Sequence, residues 1–100
     1  MNRIKQIFKT RSEKIIPFLT AGYPDLGNTV EMVLSAEIAG ADMVELGMPF
    51  SDPLADGPII QKASNFALEY GVTIKWILET VKKIRERSSI PLVLMGYINP

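Results

Sequence analysis

Residues 42–61, DMVELGMPFSDPLADGPIIQ, decide how the chain is read. Asp42–Leu46 (DMVEL) is a short apolar run around a single charge, Glu45, and its length suits a strand buried on both faces. Gly47–Gly57 (GMPFSDPLADG) is dense in glycine, proline and aspartate, and therefore reads as a loop. Asp56 is placed to cap a helix with Pro58 in its first turn. On that helix Ile59, Ile60, Ala63, Phe66, Ala67 and Tyr70 share a face, and Gly71 closes it. The unit is strand, long loop, helix.

The same alternation extends outward in both directions. Residues 2–10 place Ile4, Ile7 and Phe8 at helical spacing among basic residues. Lys14–Ala21 (KIIPFLTA) reads as a buried strand, although Pro17 removes one ladder donor. Asp25–Gly27 is a turn. Asn28 is expected to cap the next helix with Glu31 as its capping-box partner, and Val30, Val33, Leu34 and Ile38 form the apolar stripe up to Gly40. Downstream, Thr73 caps a helix whose stripe is Ile74, Ile77, Leu78, Val81 and Ile84, with Glu79 and Lys83 paired at i, i+4. Ile90–Tyr97 (IPLVLMGY) reads as a third buried strand.

Apolar strands alternating with amphipathic helices indicate an α/β fold with a parallel sheet of right-handed βαβ units. Three strands are few, and the sheet reads as unfinished. The expectation is that residues 1–100 are the N-terminal part of a single larger domain.

Composition removes many chemistries. The chain has 100 residues with no cysteine and no histidine. That excludes a disulfide framework, a Cys/His zinc site and any nucleophile activated by histidine, so acid–base work falls to carboxylates, Lys or Tyr. The 11 basic and 11 acidic residues cancel, which argues against a nucleic-acid footprint. No apolar run is long enough for a membrane helix. The basic start followed by IIPFLTAG faintly resembles a secretory signal, but none is expected, because Pro17 breaks the run and no A-x-A-like site follows. The absence of cysteine fits a cytoplasmic location.

The charges are unevenly placed. No Lys or Arg lies between Lys14 and Lys62, yet that stretch holds seven carboxylates: Asp25, Glu31, Glu37, Asp42, Glu45, Asp52 and Asp56. Five suit solvated faces. Glu45 and Asp56 stand out, because in parallel α/β folds functional residues gather at the carboxyl ends of strands and in the loops that follow. A charge inside a buried strand is costly unless it is paired or employed. Glu45 is therefore either one half of an ion pair with a distant cation or an acid–base group. Asp56, read alone, is more simply explained as a helix cap.

Val44–Gln61 (VELGMPFSDPLADGPIIQ) closely resembles the signature of the tryptophan synthase alpha subunit family, (L/V)ELG-x-PFSDP-x-ADGP-x-IQ. PFLTAGYPD at 17–25 and LVLMGYINP at 92–100 resemble the same family's first and third strands. The resemblance implies a TIM (β/α)8 barrel, of which this chain would be an N-terminal helix and the first three strands with the helices between them. It also implies cleavage of indole-3-glycerol phosphate to indole and glyceraldehyde 3-phosphate, a retro-aldol step without metal or organic cofactor.

By that resemblance Glu45 matches the general acid/base, and Asp56 the carboxylate that stabilises the indole nitrogen. Phe18, Ile60, Met95 and Tyr97 match positions near the ring or the catalytic pair, though each also suits barrel core. Position 59 is Ile where many relatives carry Thr. Phosphate in such barrels is held by loops after the seventh and eighth strands, which this sequence does not contain. The 100-residue chain alone is therefore expected to lack appreciable lyase activity. The implied partner is the beta subunit in an alpha2-beta2 heterotetramer, and pyridoxal phosphate belongs to that partner. A stand-alone lyase releasing free indole would show the same residues. A non-catalytic half-barrel made only for partner contact would have no use for both carboxylates. Phosphoribosylanthranilate isomerase shares the fold but lacks the loop motif.

Overall fold

Val44–Gly47 (β2) forms backbone pairs along both edges, with Phe18–Thr20 (β1) on one side and Leu92–Met95 (β3) on the other, all parallel. The structure, a computed structural model, describes residues 2–9, 13–49 and 57–96. Its helices are Arg3–Ile7 (α1), Thr29–Ile38 (α2), Pro58–Glu69 (α3) and Ile74–Arg87 (α4), with a 3-10 turn at Leu26–Asn28. The three parallel strands and the helices that connect them are the expected portion of a (β/α)8 barrel.

The strands are shorter than the apolar runs that encode them. Pro17 has no N–H to give, so regular pairing in β1 begins only at Phe18. The run before it still docks on β2: the Glu45 N–H donates to the Pro17 carbonyl at 2.9 Å and the Asp42 N–H to the Ile15 carbonyl at 2.8 Å. The Ile15 N–H in turn donates to Asp42 Oδ2 at 2.9 Å. β3 is likewise trimmed by a proline at its start, Pro91, whose carbonyl accepts the Val44 N–H at 3.0 Å. Gly47, read as loop, is the last residue of β2.

Helix starts follow side-chain caps, with two departures from expectation. Thr73 Oγ1 accepts the Trp76 N–H at 3.1 Å, as expected, and starts α4. Asn28 makes no side-chain cap. Asp25 instead starts the 3-10 turn by accepting the Gly27 N–H, Thr29 Oγ1 accepts the Gly22 N–H, and Glu31 reaches across to Arg87. The start of α2 is thus tied to the turn after β1. The cap position of α3 falls on Gly57, with Pro58 opening the helix. Asp56 lies outside the described residues.

Both α2 and α3 end in a left-handed glycine. At α3 the Gly71 N–H donates to the Leu68 carbonyl and the Val72 N–H to the Ala67 carbonyl, with Gly71 at φ +95°.

Two buried clusters fill the space between sheet and helices. Ala21, Leu46, Ala67, Val72 and Ile77 form one, and Val33, Val44, Ile84 and Ile90 form the other. The packing stripes are narrower than the apolar periodicity suggests. In α2 Thr29, Val33 and Leu34 are buried with Val30 and Ala36 packed beside them, as the stripe predicts, but Ile38, one turn past Leu34, is 88% exposed. In α3 the buried residues are the small ones, Ala63, Ser64 and Ala67, and Ile59 is 82% exposed while Tyr70 also faces out. In α4 Ile77, Thr80 and Ile84 are buried, whereas Ile74 and Leu78 are exposed. No residue of α1 is buried, so the Ile4, Ile7, Phe8 stripe packs into neither cluster.

Replacing Ile84 by Ala should destabilise the fold by about 2–5 kcal/mol, because its side chain is fully enclosed. Replacing Ile38 by Ala should change stability by under about 0.5 kcal/mol. Urea unfolding of the two variants checks the contrast.

Candidate active site

Register places the site. Phe18, Glu45 and Val93 are aligned across the three strands, and Thr20, Gly47 and Met95 form the row two residues on. In-register neighbours in a parallel sheet share a face, and residues two apart return to it. Val44, Leu46 and Ala21 point into the helix-packed clusters, so the two rows lie on the opposite face. No helix among the described residues packs on that face, and Phe18 and Met95 remain 39% and 42% exposed.

Glu45 is half-buried as the second of the four residues of β2, between Phe18 and Val93, and on its face only the Gly47 row lies nearer the strand's carboxyl end. The Arg87–Glu31 salt bridge is exposed and distant in sequence from β2. The ion-pair reading of Glu45 therefore finds no support there. The four other carboxylates of the basic-free stretch that are described have ordinary duties. Asp25 caps, Glu31 pairs with Arg87, Glu37 accepts the Ser88 hydroxyl at 2.6 Å, and Asp42 accepts the Ile15 N–H.

Of the residues expected near the substrate ring, Phe18 and Met95 share the Glu45 face. Ile60 stands elsewhere, half-buried in the first turn of α3, on the stripe of Ala63, Ser64 and Ala67. Asp56 and Tyr97 lie outside the described residues. Thr20 and Gly47 escaped the sequence reading. Thr20 is a buried hydroxyl residue ending β1 on the Glu45 face. The signal for both was the two-residue repeat, Thr20 following Phe18 and Gly47 following Glu45.

A cleft of about 940 Å³ opens at the other end of the sheet, lined in part by Arg3, Glu37, Asp42, Arg85 and Pro91. Burial and the nearby Arg3 lower the Arg85 pKa, and Glu37 opposes them. This cleft adjoins the amino ends of the strands, away from Glu45. Among the described residues no cluster of three or more potential ligands could hold a metal ion, and no helix is long and apolar enough to cross a membrane.

The profile of the tryptophan synthase alpha chain family matches residues 4–100. The chain belongs to the tryptophan synthase alpha chain family. It is 55% identical over 104 aligned residues to the tryptophan synthase alpha chain of Geobacter sp. strain M21, and 53% identical over 105 to that of Burkholderia cenocepacia. Each alignment takes in all of this chain but 39% of the relative, so the chain spans about two fifths of the length of these curated relatives. Crystal structures agree. The alpha subunit from Legionella pneumophila superposes with a TM-score of 0.91 at 38% identity, covering 97% of this chain and 39% of that one. A tryptophan synthase complex from Pyrococcus furiosus superposes at 0.80 with 45% identity, covering 87% and 36%.

An unpaired carboxylate held for chemistry contributes little to stability. Glu45→Gln should therefore leave the unfolding free energy within about 0.5 kcal/mol of the parent, or raise it. A loss of about 3 kcal/mol or more in urea unfolding would instead mark a broken structural ion pair.

Proposed function

We propose that the chain supplies the acid–base corner of a lyase that cleaves indole-3-glycerol phosphate to indole and glyceraldehyde 3-phosphate. The observation that carries this reading is Glu45: half-buried one same-face row before the carboxyl end of β2, on a face without packed helices, with no cation beside it among the described residues. Family membership supplies the reaction class.

The chemistry needs few groups. Indole C3 must gain a proton so that its bond to the side chain can break. The adjacent glycerol hydroxyl must lose one. The indole N–H becomes electron-poor in the process and is steadied by a negative neighbour. Two carboxylates in different surroundings meet these needs. Glu45 serves as general acid/base. Asp56, in the loop after β2, takes the indole nitrogen. Phe18, Ile60, Met95 and Tyr97 contribute apolar wall. Glu45 and Asp56 would repel the substrate phosphate, so it is held by later loops of the barrel.

On this reading residues 1–100 are the first part of a single (β/α)8 domain acting in tryptophan biosynthesis in the cytoplasm. The partner is a beta subunit, with which the full-length protein forms an alpha2-beta2 heterotetramer. The partner carries the pyridoxal phosphate, and none of the steps above involves it. Likeness to the alpha subunit in a Pyrococcus furiosus tryptophan synthase complex supports the partner assignment.

Two outcomes test the proposal. In the full-length protein Glu45→Gln should lower indole release at least about 100-fold, the lower end of what a positioned acid–base group contributes. Asp56→Asn should also reduce turnover strongly. A Glu45→Gln rate within about threefold of the parent, under ~1 kcal/mol in barrier, would remove Glu45 from the acid–base role. The isolated 100-residue chain should release no indole above background, and turnover by it would contradict the need for the later loops.

A further inference from the structure

Gly47 holds a position that no larger residue fits without moving its neighbour. A Cβ built on it would lie 2.3 Å from Cζ of Phe18 and 2.9 Å from Cε2. Carbon atoms not bonded to each other settle near 3.5–4.0 Å, so the tip of the Phe18 ring occupies the space where a side chain would begin. The backbone does not require glycine here. Gly22, Gly40 and Gly71 have positive φ, whereas Gly47 does not and is an ordinary strand residue. A glycine inside a strand weakens it, and commonly marks the close approach of another group. At Gly47 that group is an aromatic ring.

The ring's path matters. Phe18 is aligned with Glu45, and Gly47 lies one row further toward the carboxyl end on the same face. The ring thus leans from the Glu45 row across the end of β2. It is 39% exposed, so it can swing away without opening either buried cluster. A methyl at position 47 would lift the ring off the sheet and into the space above Glu45.

We propose that Gly47 is a positioning residue, whose missing side chain lets the Phe18 ring lie down beside Glu45 as the floor on which a substrate's aromatic ring rests. The proposal builds on the lyase reading of this face and assigns a role to a residue that contacts no reacting atom. A lifted ring competes with the substrate ring for the same space, so KM should suffer more than kcat. The pH dependence should not change, because Glu45 is untouched.

The test is a double-mutant cycle in the full-length protein with indole-3-glycerol phosphate as substrate. Gly47→Ala should raise KM at least about tenfold with kcat within threefold and an unshifted pH profile. In the Phe18→Ala background, where no ring remains to be displaced, the same substitution should change KM by less than twofold. An unchanged KM in Gly47→Ala, or an equal effect in both backgrounds, overturns the proposal. A second measurement depends neither on a variant folding nor on activity. In the parent protein the Gly47 Hα protons should show strong nuclear Overhauser contacts to the Hζ and Hε protons of Phe18, because the ring tip lies against them. Absence of those contacts also overturns it. Failure of the parent protein to release indole would instead count against the lyase reading, and the Overhauser result would stand apart from it.

Discussion

Backbone pairing on both edges of β2 leaves its four residues no freedom to rotate. The Glu45 N–H goes to Pro17 on one side, and the Val44 N–H to Pro91 on the other. With those bonds made, side chains must alternate. Val44 and Leu46 enter the two buried clusters, and Glu45 and Gly47 must then face away from them. A slip of one residue would put Glu45 among Ala67, Ile77 and Ile84, where an unpaired carboxylate is very costly, and turn Leu46 outward. Burial of two aliphatic side chains and exclusion of one charge thus select the same register.

The helices reinforce that choice by covering one face. Small residues are the buried ones on α3, and α2 and α4 bring Val33 and Ile84 into the cluster with Val44. What is left on the other face is a short strip of unlike groups: a ring, a carboxylate, an isopropyl group, a hydroxyl, a glycine and a thioether. Such a strip is poor core material. It is well suited to holding a flat apolar molecule against a proton donor, which is the task the proposed lyase reaction sets. On the proposed reading Glu45 moves the protons and Asp56 steadies the indole nitrogen, roles that call for no histidine within these 100 residues.

Much of this was legible before any coordinates. The alternation of apolar strands with amphipathic helices implied a parallel sheet, and DMVEL followed by GMPFSDPLADG marked where its chemistry would lie. Strand lengths were overread, because an apolar run does not reveal that Pro17 and Pro91 interrupt regular pairing. Helix faces were overread too. Ile38, Ile59, Ile74 and Leu78 fit a helical stripe by spacing, yet burial depends on the width of contact with the sheet, which spacing does not encode. Asn28 was a reasonable cap by local rules, but a hydrogen bond between Thr29 and Gly22 tied the helix start to the turn after β1. The role of Gly47 could not be read from sequence. It arises from a ring on a neighbouring strand, a contact between residues 29 apart in the chain.

The face holding Glu45 is proposed above as the catalytic face of an indole-3-glycerol phosphate lyase. The direct measurement is product analysis. The full-length protein, without beta subunit, metal or added cofactor, is incubated with indole-3-glycerol phosphate, and indole and glyceraldehyde 3-phosphate are quantified together. Equal amounts of the two, matching the substrate consumed, are predicted. Intact substrate, or indole formed without the triose phosphate, would contradict the claim.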